Sequence, residues 1–395
     1  MKKFIFMLGI AVLISAGSCN QEESISEIID ESLSSSVCQY ALMTDVLRDM
    51  PDQLPRTLDG EGRLITVKSD WWTSGFFPGS LWYLHEFTGD PRLKDDAVMM
   101  SSRVEREKYT TNNHDVGFIL YCSYGNGLRL TGEESYNEIL LTGARSLCTR
   151  FRPNVGCIQS WASRPGWQCP VIVDNMMNLE LLMWAFKNSG DSSFYKIATS
   201  HADTTMKNHY RPDHSSYHVV SYDTITGRVE IRQTNQGYAD ESAWSRGQSW
   251  GLYGYVMMYR ETGHQRYLDH ALNIADYLIN HPNMPEDMIP YWDYNAPDIP
   301  DARRDASAGS IMASALIELS GYADHARREK YLQVAEKQLR SLSSPAYMAK
   351  LGQNGNFILM HSVGSLPADS EVDVPLSYAD YYFIEALMRY RKLPE

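Results

Sequence analysis

The sequence predicts an all-α fold: an (α/α)6 barrel, a toroid of six helical hairpins, with one small inserted β-hairpin. Three observations predict it. A short unit recurs along the 395 residues: TGDPRL (88–93), TGEESY (131–136), SGDSSF (189–194), TGHQRY (262–267) and, more loosely, SGYADHARREKYL (320–332). The helix before each unit is apolar or aromatic on nearly every side, as a helix buried all round must be. The helix after it keeps its apolar residues at three- and four-residue spacing, as a half-buried helix does. Alternation of the two kinds implies an inner ring of helices inside an outer one.

The elements follow in order. Residues 1–18 read as an export signal: Lys2 and Lys3, then the apolar run FIFMLGIAVLI, too short to span a bilayer. SAGSC (15–19) resembles a bacterial lipobox, with Cys19 as the lipidation site. The expected product is an exported lipoprotein, periplasmic and membrane-anchored through that lipid alone. Residues 19–38 are acidic and Ser-rich and read as a tether. A single catalytic domain then fills 39–395. It begins with the helix QYALMTDVLRDM (39–50) and ends with YADYYFIEALMRYRKL (378–393).

Between them, FFPGSLWYLHEF (76–87), FILYCSYGNGLRL (118–130), MMNLELLMWAF (176–186) and SWGLYGYVMMYR (249–260) are the inner helices. LDHALNIADYLINH (268–281) and YLQVAEKQLRSL (331–342) are outer ones. The glycines between them, Gly89, Gly132, Gly190, Gly263 and Gly321, are expected to end the inner helices in the left-handed conformation. One stretch breaks the helical pattern. YHVVSYDTITGRVEIRQT (217–234) alternates and turns at TITG, so it reads as the inserted hairpin.

Composition narrows the function. The net charge of -13 disfavours nucleic acid as a partner. Neither a phosphate loop, a serine nucleophile elbow nor an HExxH zinc pattern is present, and the six cysteines match no zinc spacing. No cofactor and no metal is expected. Cys157 and Cys169 flank a Trp-rich loop and could pair in an oxidising compartment; free buried thiols are the alternative.

In such a barrel the inner helices start at one rim. Their starting segments, DWWTSGFFPG (70–79), NNHDVGF (112–118), VIVDNMMN (171–178), ESAWSRGQSWG (241–251) and RDASAGS (304–310), gather there. Asp115 and Asp174 occupy equivalent places in neighbouring hairpins. Either could simply be a helix cap. Two together, with His114 beside one, suit a pair of carboxyls with separate acid and base roles. Tryptophans at a cavity mouth stack on sugar faces, and Arg246 between Trp244 and Trp250 can hold a carboxylate. Its alternative is a salt bridge to Asp240 or Glu241. His218 on the hairpin is either a polar contact or a surface histidine.

Five stretches carry a family resemblance: WTSGFFPGSLWYLHE, HDVGFILYCSYGNG, VIVDNMMNLELLMWA, ESAWSRGQSWGLYGY and SEVDVPLSYADYYFIEALMRY. In this order, over about residues 40–391, they resemble the unsaturated glucuronyl hydrolases of glycoside hydrolase family 88. The resemblance implies the (α/α)6 barrel. It also implies hydrolysis of lyase-generated oligosaccharides, glycosaminoglycan disaccharides foremost, by hydration of a C4=C5 double bond in the terminal uronic acid. By the same matching Asp174 is the proton donor and then the base, and Asp115 the second essential carboxylate. His218, Gln236, Arg246 and Trp250 contact the uronate, and Trp72 and Trp161 line the pocket. Burial and Asp115 should raise the pKa of Asp174, against the helix N-terminus. The loop HSVGSLPADSEVDV (361–374) lacks the basic residue with which some relatives receive a sulfate. A monomer or weak dimer is expected. The alternatives are an unsaturated rhamnogalacturonyl hydrolase acting on pectin fragments and a non-catalytic glycan-binding lipoprotein.

Overall fold

The computed structural model describes residues 23–394. The signal segment, Cys19 and the first residues of the expected tether lie outside them. The rest of that tether is helix. Ser24 and Glu27 form a reciprocal capping box that opens α1 (Ile25–Arg48). Ile29, Leu33, Tyr40, Met43 and Leu47 then bury one stripe of it against the barrel. Glu27, Glu31, Ser34 and Ser35 stay exposed, but Ser32 and Ser36 join the buried i, i+4 stripe that decides the structure.

The inner ring consists of α2 (Phe76–Thr88) and α4 (Val116–Leu120), which runs through a π turn at Tyr121–Gly125 into α5 (Asn126–Thr131). It continues with α7 (Leu179–Ser189), α9 (Ser245–Thr262), α11 (Ala306–Ser320) and α13 (Ser377–Arg391). The outer ring comprises α1, α3 (Pro91–Ser102), α6 (Ser135–Cys148), α8 (Ser192–His209), α10 (Gln265–Ile279) and α12 (His325–Leu342). Each inner helix packs on the next, and α13 packs back on α2, so the ring closes. Every residue of α9 from Ser245 to Met258 is buried. In α10 the buried set is Tyr267, Leu268, His270, Ala271, Ile274, Ala275, Leu278 and Ile279, one face. The inner and outer characters expected of the two helix types are both present.

The two ends of the barrel differ. At one end inner helices pass to outer helices through short turns. Gly89, Gly132, Gly190 and Gly263 take φ of 69, 67, 74 and 67° there. An added Cβ at these four would meet nothing within 4 Å, so glycine is needed for the backbone angle rather than for space. Gly321 departs from the expectation, with φ -71°: its looser repeat ends in an ordinary right-handed turn. Asp90, Asp191 and Asp324 then cap the following outer helices.

At the other end outer helices return to inner ones through long loops. These carry all the strands of the described residues. β1 (Leu54–Leu58) pairs with β2 (Leu64–Val67), and β3 (Phe151–Arg152) with β4 (Cys157–Ile158). β5 (Pro170–Ile172), β6 (Val219–Tyr222) and β7 (Val229–Gln233) make a three-stranded antiparallel sheet, and β8 (Ser362–Ser365) pairs with β9 (Ser370–Val374). The hairpin expected at 217–234 is β6–β7, extended by β5. The sequence marks no strand at 170–172, because three apolar residues are too few to show a period. Cys157 and Cys169 are both buried and both free. No helix of the described residues is long and apolar enough to cross a membrane.

Candidate active site

The looped end encloses a narrow cavity of about 120 Å3, lined by Trp72, His114, Asp115, Phe118, Trp161, Ile172, Asp174, Gln236 and Arg246. Seven of the residues singled out from the sequence therefore share one space. A larger cavity, about 420 Å3, lies on the far side of Phe118. Its arginines are all paired: Arg129 with Glu86, Arg260 with Glu180, Glu261 and Glu318, and Arg389 with Glu318 and Glu385.

Neither aspartate serves as a helix cap. Asp174 lies inside a 3-10 turn, Val173–Asn178, which follows strand β5 directly. The expectation that it begins the inner helix is corrected: α7 starts at Leu179. The strand sets the register here, because Ile172 pairs with Val219 and the Val173 N–H donates to the His218 carbonyl. Asp115 does stand at the N-cap position of α4, yet its side chain makes no cap hydrogen bond. Its Oδ1 accepts instead from Asn178 Nδ2 at 3.3 Å. Asp174 is 9 % exposed and its Oδ2 has no hydrogen-bond partner among the described residues.

Burial pushes both carboxyls up to about 7. For Asp174 the strongest opposing group is Arg246, rather than the helix terminus, and the Asp115 charge adds to the rise. For Asp115 the Asn178 hydrogen bond and then the Arg150 charge oppose burial. Two carboxyls poised near neutrality in one narrow cavity can exchange a proton with a bound substrate at physiological pH.

His218 is buried rather than a surface residue. Its Nδ1 accepts from the backbone N–H of Asn235 and Gln236 at 3.1 and 3.2 Å. That places the ring proton on Nε2, which faces Asp174 Oδ2 at 3.8 Å. Burial, with Arg246 and His209 nearby, holds the ring neutral. His114 Nε2 lies 3.5 Å from Asp115 Oδ2, and burial drives that ring down to about 3. Both histidines can only act as neutral polar contacts.

Arg246 sits in the first turn of α9, 1 % exposed. Its partner is Asp305 at 3.2 Å, not Asp240 or Glu241. Glu241, out on the surface, pairs with Arg211 instead. The guanidinium also donates to the Val363 carbonyl and, at 2.6 Å, to that of Gly364, and it lies over the Trp244 ring at 4.5 Å. Gln236 Nε2 reaches the same Gly364 carbonyl at 3.0 Å. Strand β8 is thus tied to the cavity wall by two of its polar residues. Trp72 is half-buried against Phe76, Phe118 and Tyr378. Trp161 stacks on Trp167 with ring centroids 5.4 Å apart.

His218 and Trp250 are the two members that do not line the cavity: His218 stands beside Asp174, and Trp250 is set deeper. Trp250 is fully buried among Phe118, Tyr378 and Tyr382. It lies one turn further along α9 than Arg246, so the residues of the ring's core cover it. The groups that sequence reasoning missed are Phe118, Ile172, Asn178 and Asp305. Asn178, four residues after Asp174 and polar in an otherwise apolar helix start, was the visible signal.

The family model for glycosyl hydrolase family 88 matches residues 49–391. An unsaturated glucuronyl hydrolase of Formosa agariphila is 46% identical over 87% of this chain and 86% of its own length. An unsaturated chondroitin disaccharide hydrolase of Streptococcus pneumoniae is 30% identical over 93% and 92%. The crystal structure of an unsaturated glucuronyl hydrolase specific for heparin superposes with a TM-score of 0.90 at 46% identity, covering 92% of this chain and 97% of that one.

Proposed function

The chain belongs to glycosyl hydrolase family 88, and from that premise we propose that it releases the 4,5-unsaturated uronic acid from the non-reducing end of lyase-generated glycosaminoglycan fragments. The observation that carries the reading is the pair of buried carboxyls, Asp115 and Asp174, in one Trp-walled cavity.

The chemistry follows from what such a pair can do. The substrate's C4=C5 bond is a vinyl ether through the ring oxygen. Protonated Asp174 donates to C4, the π electrons form the new C4–H bond, and positive charge develops on C5 and the ring oxygen. Water adds at C5 while the Asp174 carboxylate accepts its proton, which restores the acid. The resulting hemiketal opens and expels the next sugar, so one water is consumed for each bond broken. A group used in both directions needs a pKa near the working pH, and burial supplies it. Arg246 and Gln236 provide cationic and neutral donors for the uronate carboxylate and ring oxygens, while the Nε2–H of His218 faces Asp174. Trp72 and Trp161 bound the faces of the sugar.

Incubation with unsaturated disaccharides from heparin, chondroitin, hyaluronan and pectin is expected to abolish the 4,5-double-bond ultraviolet absorbance of the glycosaminoglycan members. In heavy water the product should carry deuterium at C4. Absorbance that persists with all four substrates excludes the activity, and loss with the pectin fragment alone moves the substrate class.

Export and lipidation at Cys19 belong to the same reading. They are supported by the basic residues, apolar run and SAGSC that precede α1. Cys19→Ser is expected to move the protein from the membrane to the soluble fraction of the producing cell. A soluble wild type would remove the anchor from the reading.

A further inference from the structure

Asp115 and Asp174 line one narrow cavity, and acid catalysis by one of them needs a single proton on the pair, so the contacts each makes decide which one holds it. We infer that Asn178 makes that decision: a positioning residue whose carboxamide holds Asp115 as the ionised member of the pair and leaves the transferable proton on Asp174. This rests on the hydrolase reading above.

Asn178 is fully buried and uses both ends of its side chain. Its Oδ1 accepts from the Phe118 N–H at 2.9 Å, and its Nδ2 donates to Asp115 Oδ1 at 3.3 Å. An amide N–H can only donate, so it favours the ionised carboxylate. Asn178 closes the same turn that carries Asp174, and its Oδ1 grips the first turn of the helix that follows Asp115. One side chain therefore sets the spacing of the two acids. The close approach at this seam needs Gly117, where a Cβ would stand 2.6 Å from Asn178 Cα.

The surrounding charges point the same way. Arg150 is 6 % exposed and donates only to carbonyls, those of Thr111, Gln159 and Ser160. Among the described residues no carboxylate lies within ion-pair distance of it, and Asp115 is the acid whose charge it feels. Asp174 faces His218 and Arg246, with Tyr378 nearby. Arg246 in turn has Asp305 bonded to it and Glu371 nearby. A substrate carboxylate on Arg246 would cancel that cation's pull on Asp174 and raise its proton affinity. The neutral amide of Asn178 cannot be cancelled in this way, so binding itself separates the two acids.

The test is the pH dependence of kcat and kcat/KM for Asn178→Ala and Asn178→Asp beside the wild type. Asn178→Asp keeps the acceptor for Phe118 and removes the N–H aimed at Asp115, so it separates the two tasks if the alanine variant does not fold. With either variant the acid limb, set by ionisation of Asp115, should move up by about one pH unit. At pH 6 kcat should fall several-fold, approaching tenfold, while KM stays within about twofold. Variants whose limbs coincide with the wild type's, or that lose only KM, overturn the inference. An inactive wild type overturns the hydrolase reading instead.

Discussion

Asp174→Asn is expected to fold as the wild type does and to lose at least 10^3-fold in kcat on an unsaturated disaccharide. General acid–base catalysis contributes about 10^2- to 10^4-fold per group, and here one carboxyl acts in both steps. An amide of the same shape can neither protonate C4 nor take a proton from water. Its effect on stability has a definite sign. The folded pKa of Asp174, about 7, lies above the ordinary carboxyl value. The folded state therefore binds the proton more tightly, and this group costs the fold stability as pH rises from about 4 to 7. Asparagine carries no such cost. At pH 8 the variant's thermal midpoint should be no lower than the wild type's, and its unfolding free energy should be higher by up to about a few kcal/mol. Loss of the fold together with the activity would return Asp174 to a structural role.

Arg246→Lys should lose about 10^2-fold in kcat/KM, mostly through KM. The guanidinium holds Asp305, the Val363 and Gly364 carbonyls and the face of Trp244 at once. A lysine keeps the charge but not the planar fork, so it cannot serve the β8 carbonyls and a uronate carboxylate together. It leaves Asp305 with a charged partner, which spares the larger penalty of a buried unpaired acid, about 3–5 kcal/mol. Initial-rate kinetics over a range of substrate concentrations separates the two constants. A variant with unchanged KM would show that the arginine serves the loop alone.

The barrel was legible in the sequence because its helices announce themselves twice. The αL glycines mark where inner helices stop, and the change from all-round to one-sided apolar residues marks which ring each helix joins. The short strands were not legible. β3 and β4 are two residues each and β5 is three, lengths at which alternation carries no information. Missing β5 had a cost for the site. Asp174 was placed at a helix start, whereas the strand pairing of Ile172 with Val219 is what presents it to the cavity beside His218. Trp250 was misplaced for a related reason. Its neighbour in sequence, Arg246, faces the cavity, but four residues along a buried helix the same face points at the core of the ring. The reach of Arg246 was illegible too, since Asp305 is 59 residues away and Val363 117.

The closure of the ring joins the two ends of the chain. The Tyr40 hydroxyl donates to Asp380 across 340 residues, Gln39 to the Phe357 carbonyl across 318, and Arg391 pairs with Asp30 across 361. A nascent chain can assemble hairpin after hairpin as it is made, but its first helix, which also touches α2, cannot fill its seat until α12 and α13 are complete. Until then α2 and α11 each present an apolar flank with no neighbour, the kind of surface that aggregates or recruits chaperones. The last helix of the ring therefore acts as its latch. Trimming α13 would not shorten the protein by one helix but leave the whole ring open, its cavity without the wall that Tyr378 builds behind Trp72 and Arg246.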